Sequence, residues 1–407
     1  MLLAGCLFYF RIINIFLVFL GIGWNNNGLS RSPYRVGDFR VSLSVTPLWG
    51  TILNVVLIAA TMPGEMCGVT DYTVRLAAAL RGIGIDAVVE FFDRWSFANF
   101  MKLKHRYRKN PNAIFHVQYP TLRLGLSVAP GFAPLLVGNS FVTLHEFGTF
   151  NVLRKAAFIP SSILSKRIIF SNNEEKARFQ RYFPHSHGRL TVMPIGNNIP
   201  QLSPRGARVG PERLVYFGQI SRNKGVEFFL DTVAQLRSAG ASIDVDMIGA
   251  MVDSDRDFVD LVRSRSERDK IGLRLSLPAD EVSATLNDAT IALLPFPDGV
   301  SNKRGSALAS LEHGATVLTT HSQLTPEWLT KVTHPVSSPD NAADLIGRIM
   351  AGTAERVLAP ETLARELQLR DWAEIARSHV KLYNAKVGGP IATSGAVLDA
   401  SSPGTKR

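Results

Sequence analysis

The residues best suited to chemistry lie in one stretch, Thr290–Thr320, TIALLPFPDGVSNKRGSALASLEHGATVLTT. Its loop carries Asp298, Ser301, Asn302, Lys303 and Arg304, and Gly305 and Ser306 follow where a helical pattern begins. Helix N-termini offer free N–H groups and a partial positive charge. Gly305 lets backbone come close to a ligand, Ser306 adds a hydroxyl, and Lys303 and Arg304 add two full charges. The combination reads as a phosphate seat; its bland reading is an exposed basic first turn with a packing glycine. Adjacent helix positions point about 100° apart, so one of the two cations faces the phosphate. Arg304 is the choice, because it adjoins Gly305 and a guanidinium can bridge two phosphate oxygens.

A second seat of the same kind is Ser221–Gly225, where Lys224 stands beside another helix start. Two seats in one domain would grip a diphosphate from both sides. A third group consists of polar residues at successive strand ends: His116, Gln118 and Tyr119, then His145 and Glu146, then Asn172 and Asn173. Such residues line the cleft of a doubly wound sheet. His116 taken alone reads first as a satisfied histidine near the core; the repetition over three strand ends points to a cleft. No carboxylate or histidine cluster has metal-ligand spacing, so neither a metal nor another cofactor is expected. No pair of carboxylates flanks a reacting bond, which favours transfer from an activated donor over glycoside hydrolysis.

The elements that must hold these residues follow from short apolar runs separated by helical patterns. Strands are expected at Leu53–Ala60, Ala87–Phe92, Ala113–Gln118, Phe141–Leu144, Arg167–Phe170 and Leu190–Met193, with a helix over Val69–Leu80. After a Pro, Gly and Ser-containing linker, Pro200–Pro211, come a strand at Leu214–Ile220, a helix at Val226–Leu236 and a strand at Ile243–Ile248. A helix starts near Ala279, and the strand runs Ile291–Phe296 and Ala315–Thr320 enclose the helix of the first seat. One late helical run, Leu363–Tyr383, is expected to pack back across both domains. Strand, loop, helix and strand recur throughout, so the fold class is α/β with two Rossmann-like doubly wound domains.

The chain of 407 residues suits two domains, and with 46% hydrophobic and 19% charged residues most of it can build buried cores. Its net charge of +11 favours anionic partners. Nucleic acid is the weakest of these, for no aromatic-interleaved RNA motif or zinc-type spacing is present. Cys6 and Cys67, far apart, fit a reducing compartment. Met101–Asn110 holds five Lys or Arg; it is either a solvated helix face or a contact for anionic lipid headgroups, at about 1 kcal/mol per basic residue. The expected division is an extension at 1–52, an amino-terminal domain at 53–207, a carboxyl-terminal domain at 208–387 and a disordered Gly/Ser/Pro-rich tail at 388–407. In the extension, Met1–Trp24 is apolar but interrupted by Arg11 and Asn14. It reads as a membrane anchor, a signal peptide or residues ahead of a true start near Leu53, and Asn25–Pro47 reads as disorder.

The segments MPGEMCGVTDYTVRLAAAL, FHVQYP, VTLHE, SNNEEKARF, MPIGNNIP and VYFGQISRNKG, with the stretch that opened this section, resemble in order and spacing glycosyltransferase family 4. These are retaining enzymes of the two-domain GT-B fold, and the resemblance covers about residues 54 to 385. It implies a nucleotide-sugar in the carboxyl-terminal domain, a saccharide or lipid-linked acceptor mainly in the amino-terminal one, and transfer without a bound metal. It places Lys224 on the diphosphate-binding lysine, Gly305 and Ser306 near the amides that meet phosphate, Gly68 on the glycine loop near the sugar, and His145 on the histidine approaching the transferred sugar. Departures are also visible. Gln219 stands where the family often has an arginine, and Ser301 and Ala309 stand where it has two glutamates. Glu312 is displaced by three positions from the second of these, and Lys303 and Arg304 are read as replacing the missing arginine charge. A cytoplasmic protein, peripheral at the inner face of the plasma membrane and acting in surface polysaccharide or glycolipid assembly, is the expectation. A nucleotide-sugar epimerase and a catalytically degenerate GT-B partner subunit are the alternatives.

Overall fold

The computed structural model describes residues 54–61, 67–121, 125, 127–199, 201, 210–252 and 255–387. The extension before Asn54, residues 62–66, most of the linker and the tail after residue 387 lie outside these.

Six strands form the first sheet: β1 (Asn54–Ala60), β2 (Asp86–Phe92), β3 (Ile114–Tyr119), β4 (Ser140–Leu144), β5 (Arg167–Phe170) and β6 (Leu190–Val192). They are parallel, in the order β2-β1-β3-β4-β5-β6. β1 reads NVVLIAA and is buried from its second residue on, as a strand covered on both faces requires. Six more make the second sheet: β7 (Arg213–Phe217), β8 (Asp244–Gly249), β9 (Gly272–Leu275), β10 (Ile291–Leu294), β11 (Thr316–Thr319) and β12 (His334–Pro335). These are also parallel, in the order β12-β11-β10-β7-β8-β9. The strand order reverses between β1 and β3 in one sheet and between β7 and β10 in the other. Those are the switch points at which open parallel sheets leave a crevice.

Helices cover both faces. In the first half they are α1 (Gly68–Gly82), α2 (Phe97–Arg106), α3 (Ala133–Val137), α4 (Val152–Ala156), α5 (Ile159–Leu164) and α6 (Asn173–Tyr182). In the second they are α7 (Val226–Ser238), α8 (Arg256–Arg268), α9 (Ala279–Asp288), α10 (Gly305–Glu312), α11 (Glu327–Val332), α12 (Pro339–Met350), α13 (Pro360–Leu369) and α14 (Trp372–Val387). One apolar cluster fills each face of each sheet.

Two differences from the sequence reading have clear causes. The run Leu363–Tyr383 is not one helix, because Asp371 accepts the Glu374 amide at 3.0 Å and starts a new one, while Arg370 turns inward over the Trp328 ring, 4.2 Å from its centroid. The strand expected to reach Ile220 ends at Phe217, because Gly218 adopts φ +152° and turns the chain. Helix α14 then crosses to the first sheet, where Ile375, Ala376, Val380 and Tyr383 pack with Val55, Leu57 and Phe141.

Candidate functional site

The second sheet brings its loops together at the β7/β10 switch point. Gly225 sits in the left-handed region at φ +73°, and a Cβ there would lie 1.8 Å from the Pro295 carbonyl oxygen. The loop carrying Lys224 therefore abuts the loop after β10, a contact only glycine allows. A Cβ on Gly218 would lie 3.9 Å from Ser306 Oγ, which puts the start of α10 over the end of β7. The Tyr216 hydroxyl lies 3.0 Å from the backbone oxygens of both Gln219 and Lys224 and fixes the turn between them. Gln219 is exposed and Lys224 half-buried, and among the described residues no ion pair engages the Lys224 ammonium. Around Gly305, the first residue of α10, a Cβ would meet nothing within 4 Å. The two loops read from the sequence as seats are thus in contact.

Arg304 caps α10 with its backbone. Its guanidinium lies over the Phe296 ring, 4.7 Å from the centroid, and pairs with Asp298. Asp298 is thereby the partner of Arg304, and 70% of its side chain is exposed. Lys303 takes the opposite direction. Its Nζ lies 3.0 Å from Glu175 Oε1 at the start of α6, so it links the two halves of the molecule.

Glu175 is buried, and its other oxygen accepts the Gly148 amide at 2.8 Å. On the same side, His145 follows β4, with Nε2 3.1 Å from Gln118 Oε1 and its ring edge-on to Tyr72. Burial, and next the nearby Lys303 charge, push its pKa down to about 3. His145 is therefore neutral, and because Gln118 Oε1 accepts, Nε2 carries the proton and Nδ1 keeps a lone pair. The Gln118 amide nitrogen is buried, with no hydrogen-bond partner among the described residues. Gly68, the first residue of α1, is exposed, with open space where a side chain would stand.

Three acceptor-side expectations are corrected. His116 is fully buried within β3, with Nδ1 2.7 Å from the Tyr383 hydroxyl and Nε2 2.7 Å from Thr143 Oγ1. Nδ1 serves the docking of α14 and Nε2 ties β3 to its neighbour β4, so it is a core histidine. Tyr119 is also fully buried, wedged among Trp95, Phe150 and Phe158. Asn172 caps α6, accepting the Glu175 amide at 2.9 Å. The period of a strand puts alternate residues on opposite faces, so proximity to a strand end did not place these side chains in the crevice. Glu146, by contrast, is exposed just past His145. The sequence reading passed over Glu175. Its signal was local, an Asn followed three residues later by Glu as at a helix start, but its partner lies 128 residues away.

Glu312 stands three positions past Ala309. Its Oε2 accepts from Asn197 Nδ2 at 2.9 Å, and Asn197 in turn accepts the Trp372 indole N–H at 2.7 Å. Ala309 itself is fully buried in the apolar core. Among the described residues no group of His, Cys, Asp or Glu is arranged to hold a metal ion. No helix there is long and apolar enough to cross a membrane.

Neither a protein-family model nor a curated protein matches this chain. Solved structures do match its fold. A glycosyltransferase from Rickettsia africae superposes with a TM-score of 0.65 at 12% identity, covering 84% of this chain and all of its own. HepE from Anabaena, solved in complex with UDP, gives 0.59 at 11% identity, covering 82% and 100%. Sucrose-phosphate synthase from Thermosynechococcus elongatus gives 0.58 at 16%, covering 82% and 98%. The two parallel six-stranded sheets and these likenesses establish the GT-B fold, as the motif resemblance implied.

Proposed function

We propose that a protein of this GT-B fold, with cations gathered at one switch-point crevice, is a retaining, metal-independent glycosyltransferase. It moves a hexosyl group from a nucleotide-diphosphate sugar to a saccharide or lipid-linked acceptor in surface polysaccharide or glycolipid assembly. The observation that carries the reading is that the loop of Gln219 and Lys224 abuts the loop after β10 and the start of α10 at the β7/β10 switch point, while Lys303 of that loop reaches Glu175 in the other half. HepE, of like fold, was solved with UDP.

In this reading the sugar–diphosphate bond breaks with oxocarbenium character on the sugar and negative charge growing on the phosphates. Lys224, Arg304 and the positive end of the α10 dipole hold that charge more strongly as it develops, which lowers the barrier. Lys303 adds charge at the mouth. His145, neutral, offers Nδ1 as an acceptor to a sugar hydroxyl. Asp298 holds the Arg304 fork in place. Glu146, exposed beside His145, faces the acceptor side. A peripheral position at the cytoplasmic membrane face fits α2, where Phe97 and Met101 are 44% and 50% exposed beside Lys102 and Lys104.

The test is a thermal-shift screen against UDP, GDP, ADP and CMP and their sugars, followed by transfer assays, since a ligand that binds only the native state raises apparent stability. A rise with one diphosphate nucleotide and its sugar is expected; no rise with any of them counts against the reading. The burial of Ala309 in the core favours a second reading, a binding subunit that holds the nucleotide without turnover. Binding that persists across a broad acceptor panel with no product would select it.

A further inference from the structure

We propose that a second, cationic pocket on the amino-terminal half binds a phosphate group carried by the acceptor. Lys155 from α4 and Arg178, Arg181 and Tyr182 from α6 surround a cavity of about 400 Å³ floored by Gly148, within the range of about 300–1,000 Å³ seen for small-molecule sites. Its lining contains three cations and no carboxylate. Glu174 offsets one of them by pairing with Arg178; among the described residues no ion pair holds Lys155 or Arg181.

The cations are positioned against the pocket wall. Lys155 Nζ lies 4.7 Å from the Tyr182 ring centroid and 5.8 Å from that of Phe147, and 3.4 Å from the Tyr182 hydroxyl. Aromatic faces hold an ammonium in this way. Arg178 occupies the space beside Gly148, for a Cβ there would lie 2.1 Å from its Nη1. The Gly148 backbone is outside the left-handed region, so a side chain at this position would displace the tip of Arg178 and would not strain the backbone. Like charges around one void repel, and an anion with several oxygens removes that cost while matching the guanidinium forks. The floor also sets the direction. Gly148 gives its amide to Glu175, the partner of Lys303, and lies three residues past His145. An anion bound here holds the rest of its molecule at the edge of the proposed transfer site. The Proposed function enters only in naming that molecule an acceptor; the anion pocket stands on its own geometry.

The variants are Lys155→Met with Arg181→Gln, which removes the two unpaired charges, and Gly148→Ala, which displaces Arg178. The probes are inorganic phosphate, mannose 6-phosphate, and phosphatidylcholine vesicles with and without phosphatidylglycerol, measured by calorimetry and co-sedimentation. Binding of inorganic phosphate should weaken about tenfold or more in the double variant, and also in Gly148→Ala, with UDP affinity unchanged. A parallel loss for mannose 6-phosphate identifies a soluble sugar phosphate; a parallel loss for phosphatidylglycerol vesicles identifies a lipid headgroup. Phosphate binding equal in wild type and both variants, or absent from wild type, overturns the proposal. Should UDP fail to bind wild type while phosphate binding still depends on Lys155 and Arg181, the transferase reading falls and the pocket remains.

Discussion

At the residue scale the crevice depends on a few cations, each with different company. Lys224 has its backbone fixed by Tyr216 and, among the described residues, no ion pair at its ammonium, so Lys224→Ala should barely change stability while weakening nucleotide-diphosphate binding. In the proposed reaction it should cost about 2.7–4 kcal/mol of barrier, a hundred- to thousandfold in rate. Calorimetry showing unchanged donor affinity would remove Lys224 from the site. Arg304 is differently held, stacked over Phe296 and paired with Asp298. Arg304→Lys keeps the charge but loses the fork and the stacking, so activity should fall with folding intact; Arg304→Ala should fall further, and adding Gln219→Arg should recover part of it. Transfer by the Arg304→Ala variant at the unmodified rate would show that Arg304 only packs the loop. The residue types of this loop were legible in the sequence, because a basic loop entering a helix after a strand stands out whether it seats phosphate or only forms an exposed first turn. Partner choice was not. Nothing in the spacing of Lys303 and Arg304 says that one reaches Glu175 and the other Asp298.

At the element scale, strands and their order along the chain were readable from apolar runs, since a parallel strand buried on both faces leaves little else. Side-chain direction within a strand was less so, which is why His116 belongs to the packing of α14 and not to the crevice. Three buried histidines gather there and at the crevice: His116, whose pKa burial holds well below its ordinary value, His379 at about 4, and His145 at about 3, each lowered chiefly by burial. The sign follows from the lowering. An unfolded histidine takes a proton below about pH 6.5, whereas these stay neutral when folded until the pH falls to their depressed values. Stability should therefore hold above pH 6.5 and fall as pH drops below it, by up to about 1.4 kcal/mol per pH unit for each histidine. Urea unfolding at a series of pH values measures this, and His379→Gln should flatten the acid slope by up to about 1.4 kcal/mol per pH unit. An unchanged slope would assign the acid sensitivity to other groups. The loop junction gives a second expectation. Gly225→Ala meets both a positive φ and the Pro295 carbonyl, so it should destabilise by more than the ~1 kcal/mol of an ordinary glycine change, and a Tm equal to wild type would contradict the loop contact.

At the scale of the whole molecule, the two sheets are joined by α14, by the Asn197 junction with Glu312 and Trp372, and by the Lys303–Glu175 pair. The motifs pointed to two domains, but these ties span up to 267 positions and had no local signature. The pair allows the sharpest test. Glu175 is only 4% exposed at its side chain and Lys303 is 35% exposed. Removing the lysine leaves a buried carboxylate with the Gly148 amide as its remaining side-chain partner. For fully buried pairs such a loss costs about 3–5 kcal/mol; the partial exposure of Lys303 reduces the expectation for Lys303→Met to about 1–3 kcal/mol. Glu175→Gln keeps an oxygen for Gly148 and removes the charge, so the double variant should recover most of that loss. The expected double-mutant cycle is a coupling of about 1 kcal/mol or more, read from urea unfolding at neutral pH. Additive losses would mean that the two side chains act independently and that Lys303 is a surface lysine. Coupling in stability combined with lost UDP affinity in Lys303→Met alone would place the same ammonium in both the domain junction and the donor crevice.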